Sequence, residues 1–320
     1  MLSRVSDSLY WTSRYLERAE HTVRLLDVNL GLMLDRSQTS AERRWQRVLA
    51  ALGNPSHIEW TGDAYKLVQA LCFDPASPAS VVNCIVSARE NARQIREEIS
   101  TEQWQRLNRL FHDVSRARTE LYSDLQFAEF LPTVIDGVHL FQGVTDTTLS
   151  HGEGWQFLQV GRFLERASAT ALLLDVYHRE VIRSPEESVD AYEYLEWVGM
   201  LRSCTAFEAY CKVYTADLTY ERMLEFLLLN PDFPHSIRYS IDQLHRSLNA
   251  IQQESHQQNI EELMRVSGKL RTLLSYDQIS DVFAAGPGVY LRRILRECHH
   301  IHNLVYEVYI HYSVQTALAQ

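Results

Sequence analysis

The amino-acid sequence predicts an all-α fold, a tandemly duplicated helical bundle whose halves are related by a pseudo-twofold repeat. Glycine and proline are scarce, with 12 and 8 in 320 residues, and apolar side chains recur at helical spacing over long stretches. In addition, the segment Arg14–Ala19 returns as Arg162–Ala167, and the match extended to Val28 and Val176 contains 10 identities in 15 positions. Unrelated segments would share about one, so the sequence contains an internal duplication.

Six helices are predicted in the first half. The first begins at Ser3, continues to about Asp35 and carries the first copy of the repeated segment. The stretch Ser40–Arg43 resembles a capping box and opens a second helix, which ends at Ala51 before a Gly-Asn-Pro turn. The other helices of this half are predicted over residues 63–73, 78–100, 102–123 and 125–148, and the chain closes with a helix over 279–319.

The second half is predicted to repeat this helix order. Trp45 matches Trp197 at a spacing of 152 residues, and matched prolines follow at a spacing of 156, so the second copy contains a few extra residues. A glycine-containing segment before the second motif marks the boundary. We therefore divide the chain into helical repeats at 1–148 and 149–320, packed as one unit.

Composition and charge narrow the classes of function. With 31 Lys+Arg against 41 Asp+Glu, the formal net charge of −10 argues against nucleic acid or an anionic membrane surface as a partner. The five cysteines show no repeated CxxC spacing, which is typical of reduced thiols. The first residues lack signal-peptide character, and no run of about 18 uncharged apolar residues predicts a membrane span. We therefore expect a cytoplasmic protein.

Each copy of the repeated segment places two arginines and one glutamate on one side of a helix. The first set is Arg14, Glu17 and Arg18, and the second is Arg162, Glu165 and Arg166. These positions are neighbours on a helix surface. Under a structural interpretation, each glutamate neutralises an arginine within or between helices and locks the halves together. Under a functional interpretation, the spare arginines bind a carboxylate or phosphate through paired hydrogen bonds.

A basic stripe on a later helix is a second candidate binding element. Arg89, Arg93 and Arg96 lie at i, i+4 and i+7, and Asn91 lies between them. The commoner structure is a solvated face paired with nearby glutamates, whereas packing beside the first motif would create a polar pocket. Because the second copy has lost most of this stripe, we expect any single pocket to open on the first half.

Signals for catalysis or for a cofactor are weak. Cys298 and His302 share a helix face, as do His299 and His302, but a zinc site needs further ligands that the sequence does not specify. The sequence contains no Walker A loop, dinucleotide-binding glycine pattern or nucleophile elbow. We therefore assign no metal, no cofactor and no catalytic residue.

These motifs carry a resemblance to a known family. The opening Leu2–Trp11, the two Glu-Arg segments and the stretch Ser87–Arg93 resemble the bacterial alpha-E family, and the resemblance covers essentially the whole chain. It implies an α-helical module that is built around a Glu-Arg motif and occurs as a tandem duplication.

The resemblance also implies a function and partners. It implies an accessory or binding component of a peptide synthesis or modification system that works with a circularly permuted ATP-grasp ligase, transglutaminase-like proteins and an N-terminal-nucleophile hydrolase. The ligase, a peptide or both are the expected partners. The alternative is an enzyme acting on an amide or peptide bond, with Glu17 or Glu165 as acid or base and the arginines orienting a carboxylate or phosphate.

Overall fold

A computed structural model describes residues 1–35, 38–120, 124–183, 191–215, 217–254 and 260–310. Within these ranges the protein contains fourteen α-helices and no β-strand, which confirms the all-α prediction. In the first half they are α1 (Ser3–Gly31), α2 (Gln38–Ala51), α3 (Ala64–Phe73), α4 (Val81–Gln94), α5 (Thr101–Glu120) and α6 (Asp124–Thr148). In the second half they are α7 (Glu153–Arg183), α8 (Ala191–Ser203), α9 (Phe207–Tyr214), α10 (Tyr220–Leu229), α11 (Ile237–Glu254), α12 (Ile260–Tyr276), α13 (Ile279–Ala285) and α14 (Pro287–Val305).

The helix ends follow the predictions with three differences. α1 ends at Gly31 and continues as a 3-10 turn to Asp35. α4 ends at Gln94, before the predicted end near residue 100, because Ile95 leaves the helical region with φ −123° and ψ 36°. The predicted last helix is divided into α13 and α14 at Gly286, whose φ of +82° suits glycine. Residues 311–319 of that prediction lie outside the described residues.

The starts of two helices also differ from the predictions. α2 begins at Gln38, two residues before the predicted start at Ser40. α4 begins at Val81 with Ser80 as its N-cap, and Pro78 belongs to the preceding turn. None of the helices in the described ranges combines the length and the apolar character needed to cross a bilayer.

The two motif-bearing helices, α1 and α7, form the centre of the bundle. They pack along each other, and each is covered by helices with the same place in the chain order, α1 by α4 and α6, and α7 by α11 and α14. The outer helices α5 and α12 close the two sides, while α2 packs on α7 and α8 packs on α1. A duplicated bundle requires such matched packing. The pseudo-twofold axis itself and the division of the chain at residue 148, where α6 ends, stay predictions.

A glycine allows the two central helices to touch. A Cβ atom on Gly161 of α7 would lie 2.3 Å from the carbonyl oxygen of Tyr10 and 2.3 Å from Oγ of Ser13, both on α1. Ala19 and Ala167, which occupy the same position in the two motifs, are fully buried. These small residues permit a close approach of the helix backbones, so that longer motif side chains reach from one helix to the other.

Candidate functional site

The two Glu-Arg motifs face each other across the interface of α1 and α7, and their charges pair between the helices. Nε of Arg14 donates to Oε2 of Glu165 at 2.7 Å, and Nε of Arg18 donates to its Oε1 at 2.6 Å. Glu17 accepts two hydrogen bonds from Arg166, from Nε at 2.5 Å and from Nη2 at 2.8 Å. Each glutamate is therefore neutralised by the arginines of the other copy, which is the geometry that the structural interpretation predicted.

These ion pairs lie in the interior of the bundle. Glu17 is 3% exposed and Glu165 is 8% exposed. Burial alone would raise the pKa of Glu165, but the guanidinium groups of Arg14 and Arg18 outweigh it and hold the pKa at about 2. This carboxylate is thus ionised at neutral pH and both of its oxygens are occupied. Removal of one partner from such a buried pair typically costs about 3–5 kcal/mol.

Arg14 has further partners beyond the carboxylate. Its Nη1 donates to the hydroxyl oxygen of Tyr10 at 3.0 Å and to Nδ1 of His302 at 2.9 Å. Burial and the positive charge of Arg14 lower the pKa of His302 to about 4, so the ring is neutral at pH 7 and its Nδ1 can accept. Arg14 is therefore held on two sides, by Glu165 and by these two rings.

Arg162 occupies the position of Arg14 in the second motif but is not paired in the same way. Its Nε lies 3.9 Å from Oε2 of Glu17 and is buried without a hydrogen-bond partner among the described residues. The residue that corresponds to Tyr10 in the second copy is a leucine, which offers no hydroxyl group. Burial and the neighbouring charge of Arg166 lower the pKa of Arg162.

A cleft of about 630 Å³ opens beside Arg162, between the end of α6, α7 and α11. Its other charged lining residues are Arg166, Arg246 and Asp146. Arg246 is exposed and makes no hydrogen bond or ion pair with the described part of the chain. Most residues that line this cleft belong to the second half, whereas Asp146 belongs to the first, and the expectation that a single pocket opens on the first half stays a prediction.

The predicted basic stripe is paired locally, and it does not lie on one helix, because Arg89 and Arg93 belong to α4 whereas Arg96 lies in the turn after its end at Gln94. Its predicted site residues are Arg89, Asn91, Arg93 and Arg96. Arg89 donates to Oδ1 of Asn108 at 2.8 Å and to Glu90 at 2.9 Å, and Arg93 donates to Glu90 at 2.8 Å. Arg96 donates to the main-chain oxygen of Ile99 at 3.3 Å, and Asn91 is half-buried. None of the four lines the cleft beside Arg162, so the structure does not bring the stripe and the motifs into that pocket.

A second set of ion pairs joins the halves and was not predicted from the sequence. Nη2 of Arg44 on α2 donates to Oε1 of Glu196 on α8 at 2.7 Å. Arg47 pairs with the other oxygen of Glu196 and, at 2.7 Å, with Glu180. Arg44 is 0% and Glu196 is 5% exposed. A signal was available, because Arg44 and Glu196 lie 152 residues apart, beside the matched tryptophans.

A small polar cavity beside Arg166 is lined by titratable groups that the sequence did not single out. Oε1 of Glu20 accepts from Nη2 of Arg24 at 2.8 Å. Oε2 of Glu20 and Nε2 of His21 are buried without a hydrogen-bond partner in the described ranges. Burial lowers the pKa of His21 to about 4 and the pKa of His235 well below its usual value. Both rings are therefore uncharged at neutral pH.

The histidines of α14 are arranged for packing and hydrogen bonding. Nδ1 of His302 lies 2.7 Å from the hydroxyl oxygen of Tyr10. Cys298 is buried, and this burial raises the pKa of its thiol to about 12. Across the described ranges, no three His, Cys, Asp or Glu side chains are grouped so as to hold a metal ion.

Comparisons with known proteins find relatives of nearly the whole chain. Uncharacterised proteins of Mycobacterium bovis and Mycobacterium tuberculosis are 22% identical to it over 316 residues. These alignments cover 92% of this chain but 35% of each relative, so the chain spans about a third of the length of the relatives it matches. No solved structure matches it.

A family model gives the assignment. The model, named Alpha-E and described as a predicted alpha-helical domain with a conserved ER motif, matches residues 1–310. The match runs through both Glu-Arg segments, which the structure places opposite each other on α1 and α7. The chain therefore belongs to the Alpha-E family.

Proposed function

We propose that this protein is a non-catalytic accessory component of a peptide synthesis or modification system that works with a circularly permuted ATP-grasp ligase and transglutaminase-like proteins. The observation that carries the proposal is the reciprocal pairing of Glu17 and Glu165 with arginines of the opposite copy. Because both carboxylates hold helices together, the motif supports a binding protein better than it supports an enzyme. Its role is then to bind the ligase, a peptide or both.

The alternative, an enzyme that acts on an amide or peptide bond, needs Glu17 or Glu165 as a general acid or base. Such a group must reach the proton that it transfers and must have a pKa near the working pH. Glu165 is enclosed between two arginines, and its pKa is held at about 2. Glu17 is buried and accepts on both oxygens from Arg166. Neither carboxylate suits the role, which favours binding.

Further observations support an accessory role in the cytoplasm. The mycobacterial relatives contain the matched region as 35% of their length, so the same helical region there shares a chain with other segments. A region of this kind is suited to associate with separate proteins. The five cysteines are unpaired, which agrees with a reducing compartment. The net charge of −10 disfavours nucleic acid and anionic membranes as partners.

The direct test is co-purification of the full chain with the ATP-grasp ligase of the same organism. We expect a stable complex, or a change in the ligase's turnover when this protein is added. The absence of both would contradict the accessory role.

The glutamates are tested separately by a Glu17→Gln, Glu165→Gln double variant, with Glu90→Gln, whose side chain is 40% exposed, as its control. Loss of folding in the double variant alone supports the structural role of the motif. A normal melting curve together with lost association would assign these glutamates to function.

A further inference from the structure

We propose that the cleft beside the second motif binds the C-terminal end of a peptide, whose carboxylate is held by Arg162 and Arg246. This inference rests on the proposed function as a peptide-binding component, and it adds the place of binding and the chemical group that is recognised. The charge of the cleft, its unpaired hydrogen-bonding groups and its size support this inference.

The cleft has an uncompensated positive charge. Arg162, Arg166 and Arg246 line it, whereas Asp146 is the carboxylate among its described lining residues and Glu17 lies behind Arg166. Three guanidinium groups against two carboxylates leave one positive charge, which a single carboxylate neutralises. Since a charge that is removed from bulk water needs a partner, an anion is stabilised more here than beside an exposed arginine.

Arg162 is available to such a ligand. Its side chain is 21% exposed, and its terminal amino groups make no hydrogen bond with the described residues. Arg246 on α11 is exposed and unpaired within the described ranges. Two guanidinium groups on neighbouring helices can share the oxygens of one carboxylate, and the protein already does this where Arg14 and Arg18 each bind one oxygen of Glu165.

Amide and hydroxyl groups beside these arginines favour a peptide over a bare anion. The side chains of Gln159, Gln243 and Tyr239 line the cleft and make no hydrogen bond with the described residues. Each glutamine amide offers donors and an acceptor, which match the N–H and C=O groups of a peptide backbone. The stacked rings of His151 and Trp155, with centroids 4.3 Å apart, add a flat aromatic wall. A cleft of about 630 Å³ has room for a few peptide residues.

The test is isothermal titration calorimetry on the full chain with three probes. These are acetyl-Gly-Gly-Ala with a free carboxylate, the same peptide as its C-terminal amide, and inorganic phosphate. We expect saturable binding of the acid peptide and a Kd about tenfold higher, or more, for the amide, because the charged hydrogen bonds are lost. Phosphate, which lacks amide groups, is expected to bind more weakly than the acid peptide.

Arg246→Ala is the decisive variant, because this side chain is exposed and its removal leaves no described residue unpaired. We expect it to raise the Kd of the acid peptide about tenfold. The matched control is Arg93→Ala, which removes an exposed arginine outside the cleft and should leave the Kd unchanged. Arg162→Met should also abolish binding, with circular dichroism and a melting curve to show that it is folded.

Three results would overturn the proposal: no saturable binding of the acid peptide, equal Kd values for acid and amide, or an unchanged Kd in Arg246→Ala. Phosphate binding as tight as that of the acid peptide would also overturn it, since the cleft would then be a simple anion site. No partner protein is present in these titrations. Peptide binding that persists when neither ligase co-purification nor an effect on ligase turnover is found therefore rejects the association with the ligase alone. Ligase association without peptide binding rejects the proposed role of the cleft alone.

Discussion

The Nε atom of Arg162 lies 3.9 Å from Oε2 of Glu17, beyond hydrogen-bonding distance. At the same position of the other motif, Nε of Arg14 donates to Glu165 at 2.7 Å. Two nearly identical sequence segments thus have different bonding. Arg14 and Arg18 each bind one oxygen of Glu165. Arg166 alone binds both oxygens of Glu17 and leaves Arg162 without a hydrogen bond to the described residues. The first arrangement serves stability, and the second leaves a cation in a cleft.

Glu165→Gln should lower the free energy of unfolding by about 3–5 kcal/mol, because it leaves the charges of Arg14 and Arg18 without their common carboxylate. Urea denaturation at pH 7 measures the loss. Glu90→Gln is the control, since Glu90 is 40% exposed and pairs with Arg89 and Arg93 near the surface, where an ion pair contributes at most about 1 kcal/mol. A loss in Glu165→Gln no greater than that of the control would contradict the structural role.

Arg166→Met and Arg162→Met should differ strongly in stability although both remove a motif arginine. Arg166→Met leaves buried Glu17 without its bidentate partner and should cost about 3–5 kcal/mol. Arg162→Met removes a cation with no hydrogen bond and relieves its repulsion with Arg166, so the change should stay within about 1 kcal/mol. The free energy of unfolding of both variants, measured by chemical denaturation, tests this difference. Equal losses would show that Arg162 is a structural group after all.

Gly161→Ala should destabilise the protein by about 1–3 kcal/mol, because the new Cβ would lie 2.3 Å from the backbone oxygen of Tyr10 and would push α1 and α7 apart. Gly143→Ala is the matched control within a helix. No atom of the described residues lies within 4 Å of its Cβ position, so the gain in helix propensity should stabilise by about 0.5–1 kcal/mol. Thermal melting of both variants gives the comparison, and a stabilising Gly161→Ala would exclude the close contact.

Lowering the pH from 4.5 to about 2 should remove the contribution of Glu165 to the free energy of unfolding. Its pKa is held at about 2 in the folded protein, against an ordinary value of 4.5, so its stabilisation is complete above pH 4.5 and is lost as the pH falls toward 2. The shift corresponds to about 3 kcal/mol. The free energy of unfolding, measured by urea titration across this range, should fall less steeply in Glu165→Gln. Parallel curves for the two proteins would contradict the pairing.

His21 should make the protein less stable at mildly acidic pH. Its pKa is lowered to about 4 by burial, from an ordinary value of 6.5, so the unfolded chain takes up this proton first. Stability is therefore complete above pH 6.5 and falls as the pH drops toward 4. His21→Asn should reduce the pH dependence of the free energy of unfolding over this range, as measured by urea titration. Some slope should persist, because His235 and His302 also have lowered pKa values.

The helices were largely predictable from the sequence because local signals determine them. Helical periodicity and scarce glycine located α1 to α7, and misplaced ends arose where one residue departs from the helix, as Ile95 and Gly286 do. The facing of the two motifs was foreseen as one alternative because both helices repeat the same charges. Which arginine pairs with which glutamate was not predicted, because this pairing depends on how closely α1 and α7 approach at Gly161.

The location of the cleft could not be predicted from the arginines themselves. The difference between Arg14 and Arg162 comes from Tyr10, which is replaced by leucine in the second copy, and from His302, which is almost three hundred positions away in the chain. Arg89 and Arg93 have no counterpart in the second copy, but both pair with the same carboxylate, Glu90, on their own helix. Contacts between residues far apart in the sequence therefore determine which arginine side chains remain able to bind a ligand.

The pair of Arg44 and Glu196 distinguishes a single chain from a dimer of two identical subunits. These residues occupy matching positions, 152 residues apart, yet they have opposite charges and meet in the interior. In a homodimer of two identical single-copy subunits, both positions would hold the same residue, and like charges would be buried together. In a single chain the two positions can differ, so that one is arginine and the other is glutamate. Neither half, expressed alone, can therefore rebuild this interface by self-association.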